Sequence, residues 1–107
     1  MAFDRNRVIA VAENEIGYLE KKTADLKYLY DKTANAGSNN HTKYGYEMHK
    51  IYPATMDASG NYWCDAFVDW CFYKAYGVSN AQKIIGGFDD YTVQSAANYK
   101  KMGAWYA

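Results

Sequence analysis

Between Asn61 and Gly77 the chain is apolar over most of a helical circumference. At 3.6 residues per turn, Cys64, Phe67, Val68, Cys71 and Ala75 form one stripe, Trp63, Trp70 and Phe72 widen it, and Asp65, Asp69 and Tyr73 fall on the other side. The pattern predicts a mostly buried central helix, with Asn61 as its cap and Gly77-Val78 as a Schellman-type stop. Upstream, Val8, Ala12, Ile16 and Leu19 recur at helical spacing, which predicts an amphipathic helix from Asp4, its N-cap, to about Leu19, packed on the central helix. Thr42 is placed to cap a third helix carrying Tyr44, Met48 and Ile51 on one face, and Pro53 ends it.

Downstream, Ser79-Asn80-Ala81-Gln82 reads as a capping box for a short helix through Ile84 and Ile85, broken by Gly86-Gly87. Asp90 or Thr92 then caps a last helix with Ala96, Ala97, Tyr99 and Met102, ended by Gly103. Lys21 to Asn40 loses the period. Its turn formers surround a short apolar patch, Leu26 to Tyr30, so it is read as a long loop with room for one helical turn. Nothing alternates with period two for long enough to make a strand. The expectation is a mainly α chain of about five helices around the cysteine-bearing one, forming a single domain over residues 1–107.

Composition narrows the function classes. Twelve Lys plus Arg balance twelve Asp plus Glu, so no overall field favours nucleic acid or an anionic membrane. No apolar run approaches the roughly 20 residues a membrane helix needs, and Met1 to Arg5 lacks the order of a signal peptide, so a soluble protein is expected. The twelve tyrosines and three tryptophans imply an aromatic-rich core, with Tyr62 and Trp63 as candidates for lining a substrate groove.

The candidate chemistry lies at Cys64. It falls in the first turn of the central helix, where free backbone N–H groups and the positive end of the dipole favour a thiolate, so it is a candidate nucleophile; its own N–H is a candidate oxyanion donor. The bland alternative is a small buried hydrophobe, the reading adopted for Cys71, which lies two turns further along the stripe. Seven residues of helix put the two Cα atoms about 10.5 Å apart, too far for a disulfide bridge. His41 and His49 are the only histidines; eight apart, they make no His-x-x-x-His metal pair, although either could in principle fold back on Cys64 as a base. Glu13 and Glu15, two apart, point in different directions and are not a carboxylate pair. No cofactor is expected.

The run Trp63-Cys64-Asp65-Ala66-Phe67-Val68-Asp69-Trp70-Cys71 resembles the nucleophile motif of CHAP-type peptidoglycan hydrolases, which are papain-like and related to the NlpC/P60 group; there an aromatic residue precedes a cysteine that opens a core helix. Ala12 to Lys22, Thr33 to Tyr44 and Ser95 to Gly103 are similar to other segments of such domains in phage lysins and bacterial wall hydrolases. The resemblance implies attack by Cys64 on a peptidoglycan amide in the bacterial cell wall, by an amidase or an endopeptidase. It also implies a β-barrel after the nucleophile helix, which supplies the catalytic histidine and a polar third residue. The chain reaches Ala107 about where that barrel should begin, so these residues are expected to match the front half of the domain and to be inactive alone, with a second chain or self-association completing the fold. Some relatives bind calcium ahead of the nucleophile, which makes Asp25, Asp31, Asn35 and Asn39 candidate ligands; their spacing departs from an EF-hand loop and only two are carboxylates. The alternative function is a non-catalytic helical module that binds wall or protein.

Overall fold

The carboxylate of Asp4 accepts the Asn6 N–H at 2.9 Å and starts helix α1, Arg5–Glu13. The computed structural model describes residues 3–53, 56 and 63–87. Within them the other helices are α2, Leu26–Leu29; α3, Lys43–Ile51; α4, Cys64–Tyr76; and α5, Val78–Ile85. No strand occurs among the described residues, only isolated bridges from Lys21 to Ala36 and His41. The helix expected over residues 90–103 and the Asn61 cap lie outside the described residues.

The first helix is shorter than its apolar period. It stops at Glu13, turns follow, and Gly17 takes φ +94, a conformation costly for any residue with a Cβ. Two things end it there. The Lys32 ammonium donates to the carbonyls of Asn14 and Ile16, which a continued helix would have used itself. Tyr18 rather than Leu19 is drawn into the core, where its hydroxyl donates to the Leu29 carbonyl at 2.7 Å and accepts the Lys43 N–H at 2.9 Å. Ile16 is left 75% exposed. Val8 and Ala12 do pack on the core as the pattern predicts, and α1 lies against α4.

The segment between α1 and α3 is irregular but closely tied. Leu19 N–H donates to Lys32 O, Lys21 N–H to His41 O, Lys22 N–H to Asn35 O and Gly37 N–H to Glu20 O. Asn35 and Asn40 adopt positive φ, which asparagine tolerates better than most residues. Of its apolar patch only Leu29 is buried. The candidate calcium ligands are spent on the loop itself. Asp31 accepts the Thr33 and Ala34 N–H groups, which hold its carboxyl below the usual range, Asp25 accepts from the Thr23 hydroxyl, and the Asn35 and Asn39 amides donate to Thr23 and Lys22. Among the described residues no three His, Cys, Asp or Glu side chains gather as a metal site.

Thr42 caps α3 as its sequence predicts, accepting the Gly45 N–H at 3.1 Å, and Tyr44 and Met48 are fully buried on the expected face. Helix α4 packs against α1, α3 and α5. Its buried side differs from the predicted stripe. Asp65 and Asp69 are buried with Ala66, Trp70 and Cys71, whereas Cys64 and Val68 are exposed. With two carboxylates on the buried side, the aromatic and aliphatic content of the helix did not decide its orientation by itself.

Gly77, at φ +82 and ψ 169, is not in the left-handed helical conformation of a Schellman stop; it bends the chain directly into α5. Helix α5 therefore starts one residue before the expected Ser79 cap. Gly77 serves as its N-cap, with no side-chain capping bond, and its carbonyl accepts the Ala81 N–H. Gly86, in the left-handed conformation, ends it as expected.

Candidate functional site

Cys64 is the first residue of α4 and is exposed. The first helical bond of α4 runs from Phe67 N–H to Trp63 O at 2.8 Å, so the amides of residues 64 to 66 precede the intrahelical ladder. The N-cap of this end is Trp63, whose side chain makes no capping hydrogen bond. What holds the helix start in place is aromatic packing. The Trp63 ring stacks on Tyr44 at 5.6 Å between centroids and 19° between planes, and meets Phe67 edge-on at 6.2 Å. Tyr44 also meets Phe67 and Trp70 edge-on and Tyr18 at a tilt, each at 4.8 Å, so its ring is the hub of the cluster.

The hub is fixed by charge as well as by shape. The Tyr44 hydroxyl donates to Glu15 Oε1 at 2.9 Å, and the Lys43 ammonium pairs with the same oxygen at 2.6 Å. Burial, with the bond to Glu15 adding to it, pushes the Tyr44 phenol well above its ordinary range, so it stays a neutral donor at any ordinary pH. Lys43 lies over the Tyr18, Tyr44 and Trp70 rings at 5.3 to 5.6 Å.

Beside this cluster runs an open groove of about 710 Å³, and Cys64 is part of its wall. Tyr18, Tyr44, Trp63 and Phe67 supply aromatic surface, Ala12, Ile16 and Val68 aliphatic surface, and Glu15, Glu20 and Asn40 the polar groups. Of the sequence-predicted residues, Cys64 and Trp63 come together here, and Tyr62 lies outside the described residues. Cys71 is a packing residue, 2% exposed, and burial raises its thiol to about 11. Two thiols on one helix are thus separated into an open one and a closed one.

Neither histidine lines the groove. The His49 Nδ1 is bonded to the Met56 carbonyl at 2.7 Å, and His41 sits half-buried in the loop, its carbonyl accepting from Lys21. Apart from Cys64 and Trp63, none of the groove residues was anticipated as such from sequence, Glu15, Glu20, Asn40, Tyr18 and Phe67 among them. Phe67 was legible as an inward position of the central helix. The meeting of Glu20 with Asn40 depends on closure of a 20-residue loop that carries no periodic signal.

A second, smaller cluster lies across α4. Glu47 accepts from the Tyr30 hydroxyl at 2.7 Å and the Trp70 indole N–H at 2.9 Å, and pairs with Lys74 at 3.2 Å. Burial pushes the Glu47 carboxyl up, but these three bonds outweigh it and leave the group below its ordinary value. This cluster ties the loop to α3 and α4. No protein-family model, curated protein or solved structure matches the chain.

Proposed function

We propose that Cys64 is the nucleophile of a cysteine amidase or endopeptidase acting on peptidoglycan, with the substrate lying in the aromatic groove. The observation that carries the reading is the placing of an exposed thiol at the first residue of α4, in the wall of that groove, while the other thiol is buried. The family resemblance of Trp63 to Cys71 supplies the substrate class. In the reaction the Cys64 sulfur attacks the amide carbonyl carbon, the developing oxyanion takes a hydrogen bond from the Cys64 N–H, and the C–N bond breaks as the amine leaves with a proton. Water then hydrolyses the thioester.

That departing amine needs a proton donor, and a positioned acid or base typically contributes about 10² to 10⁴-fold. With neither histidine in the groove, the base would be provided by a residue outside this lining, on the resembled barrel or on a second chain. The competing reading is a wall- or protein-binding module without catalysis, which the histidine-free lining and the exposed Ile16 favour. Chemical rescue distinguishes the two. Added imidazole should bring out slow hydrolysis of labelled cell walls that rises with imidazole concentration and is absent in Cys64→Ala. Hydrolysis indifferent to Cys64→Ala, or none at any imidazole concentration, overturns the catalytic reading. Lysis by a lone monomer, without imidazole and lost in Cys64→Ala, moves the base to His41 or His49.

A further inference from the structure

The groove beside Cys64 is apolar along most of its wall, and among the described residues the charged ones lining it are carboxylates, Glu15 and Glu20. They are not equivalent. Glu15 is committed, its Oε1 shared between the Lys43 ammonium and the Tyr44 hydroxyl. Glu20 is half-buried, and its Oε2 accepts the Asn40 N–H at 2.8 Å. Among the described residues no lysine, arginine or histidine pairs with it. Asn40, whose N–H orients that carboxylate, is itself held at φ +62 in the groove wall. Among the described residues, Lys21 and Lys43 lie against the Tyr18 ring and are not part of the lining.

We propose that the groove takes a ligand bearing an ammonium or guanidinium group beside an apolar portion, and that Glu20 receives the charge. This rests on the reading that the groove holds the substrate of Cys64, and it adds the chemical class and the orientation. A half-buried carboxylate interacts with a cation more strongly than one in open water, and the half-buried Trp63 ring in the same wall attracts the same charge. An anionic ligand would meet the Glu20 carboxylate, whereas the charge of Glu15 is offset by Lys43. The start of α4 has the opposite polarity, because its leading amides favour an electron-rich atom. The ligand is thereby oriented, with its carbonyl at Cys64 and its cationic group toward Glu20.

The test uses Cys64 as a reporter, with three methanethiosulfonate reagents carrying a trimethylammonium, a neutral methyl or a sulfonate group. Each forms a mixed disulfide with the thiol and releases methanesulfinate, so the readout needs no hydrolytic activity and is separable from failure of the catalytic reading. At low salt the rate ratio of cationic to anionic reagent, normalised to a free thiol, should exceed unity. Glu20→Gln should lower it about fivefold with the neutral reagent unchanged, while Glu13→Gln, an exposed carboxylate outside the groove, leaves it as it was. A ratio unmoved by Glu20→Gln overturns the proposal, as does an equal change with all three reagents. Should Glu20→Gln not fold, the unsubstituted chain decides: its ratio must fall toward the free-thiol value as salt rises to about 1 M, where screening acts within about 3 Å. A ratio already at the free-thiol value in low salt overturns the proposal.

Discussion

The two ends of α4 are built differently. At its C-terminal end the Tyr76 hydroxyl accepts the Asp4 N–H at 2.6 Å and donates to the Asp4 carbonyl at 2.8 Å. Arg7 stacks on the same ring at 4.4 Å and donates to the Ala75 carbonyl at 2.7 Å, which completes one of the last orphan carbonyls of the helix. At the N-terminal end the Trp63 side chain caps without a hydrogen bond, Cys64 is exposed and the Trp63 ring stacks on Tyr44. One end spends its polar groups on holding α1 to α4, and the other keeps its leading amides beside an open groove. The contrast teaches that the polar ties to α1 gather at one end of α4 and the exposed thiol stands at the other, and it predicts that substitutions at the two ends will have different consequences.

The largest effect is expected between the ends. Trp70 is buried against Tyr44 and Phe67 and donates to Glu47, so Trp70→Ala should cost about 3 to 5 kcal/mol in urea unfolding and loosen both ends together. An unchanged midpoint would mean that the two ends do not share a core.

Alkaline pH gives the next effect. Burial raises the Cys71 thiol to about 11 from an ordinary 9.0. The folded state holds the proton more tightly than the unfolded one, so this contribution is complete below pH 9 and is lost as pH rises through about 11. Two pKa units correspond to about 3 kcal/mol. Unfolding measured from pH 8 to 11 should show this slope, and Cys71→Ala should lack that part of it; identical slopes would place Cys71 in contact with water. Tyr76→Phe should then cost about 1 to 2 kcal/mol through the two lost bonds to Asp4, with Cys64 labelling unaltered. A change in labelling would show that the ends are coupled. Smallest of all, Cys64→Ala should alter stability by no more than about 0.5 kcal/mol, as at an exposed site; a larger loss would make Cys64 a core residue after all.

The helices were legible where local chemistry decided them. Asp4 and Thr42 cap as their side chains allow, Gly86 stops α5, and Tyr44 and Met48 face the core at their helical spacing. The sequence misled where tertiary partners decided. Lys32 ends α1 from a distant loop, and α4 turns inward the side bearing Asp65 and Asp69, which hydropathy assigns to solvent. For the site, the position of Cys64 could be read from the helix start and Trp63 from its adjacency. The groove could not, because Ile16, Glu20 and Asn40 reach it only through the turn at Gly17 and the closure of the loop.

The central claim is that the thiol at the open end of α4 is the reactive one, and competitive alkylation of the folded protein addresses it directly. With limiting iodoacetamide at pH 7 and mass-spectrometric mapping, Cys64 should be modified nearly to completion before Cys71 is labelled at all, and the preference should vanish in denaturant. Equal labelling of the two in the folded state, or preference for Cys71, would contradict the account.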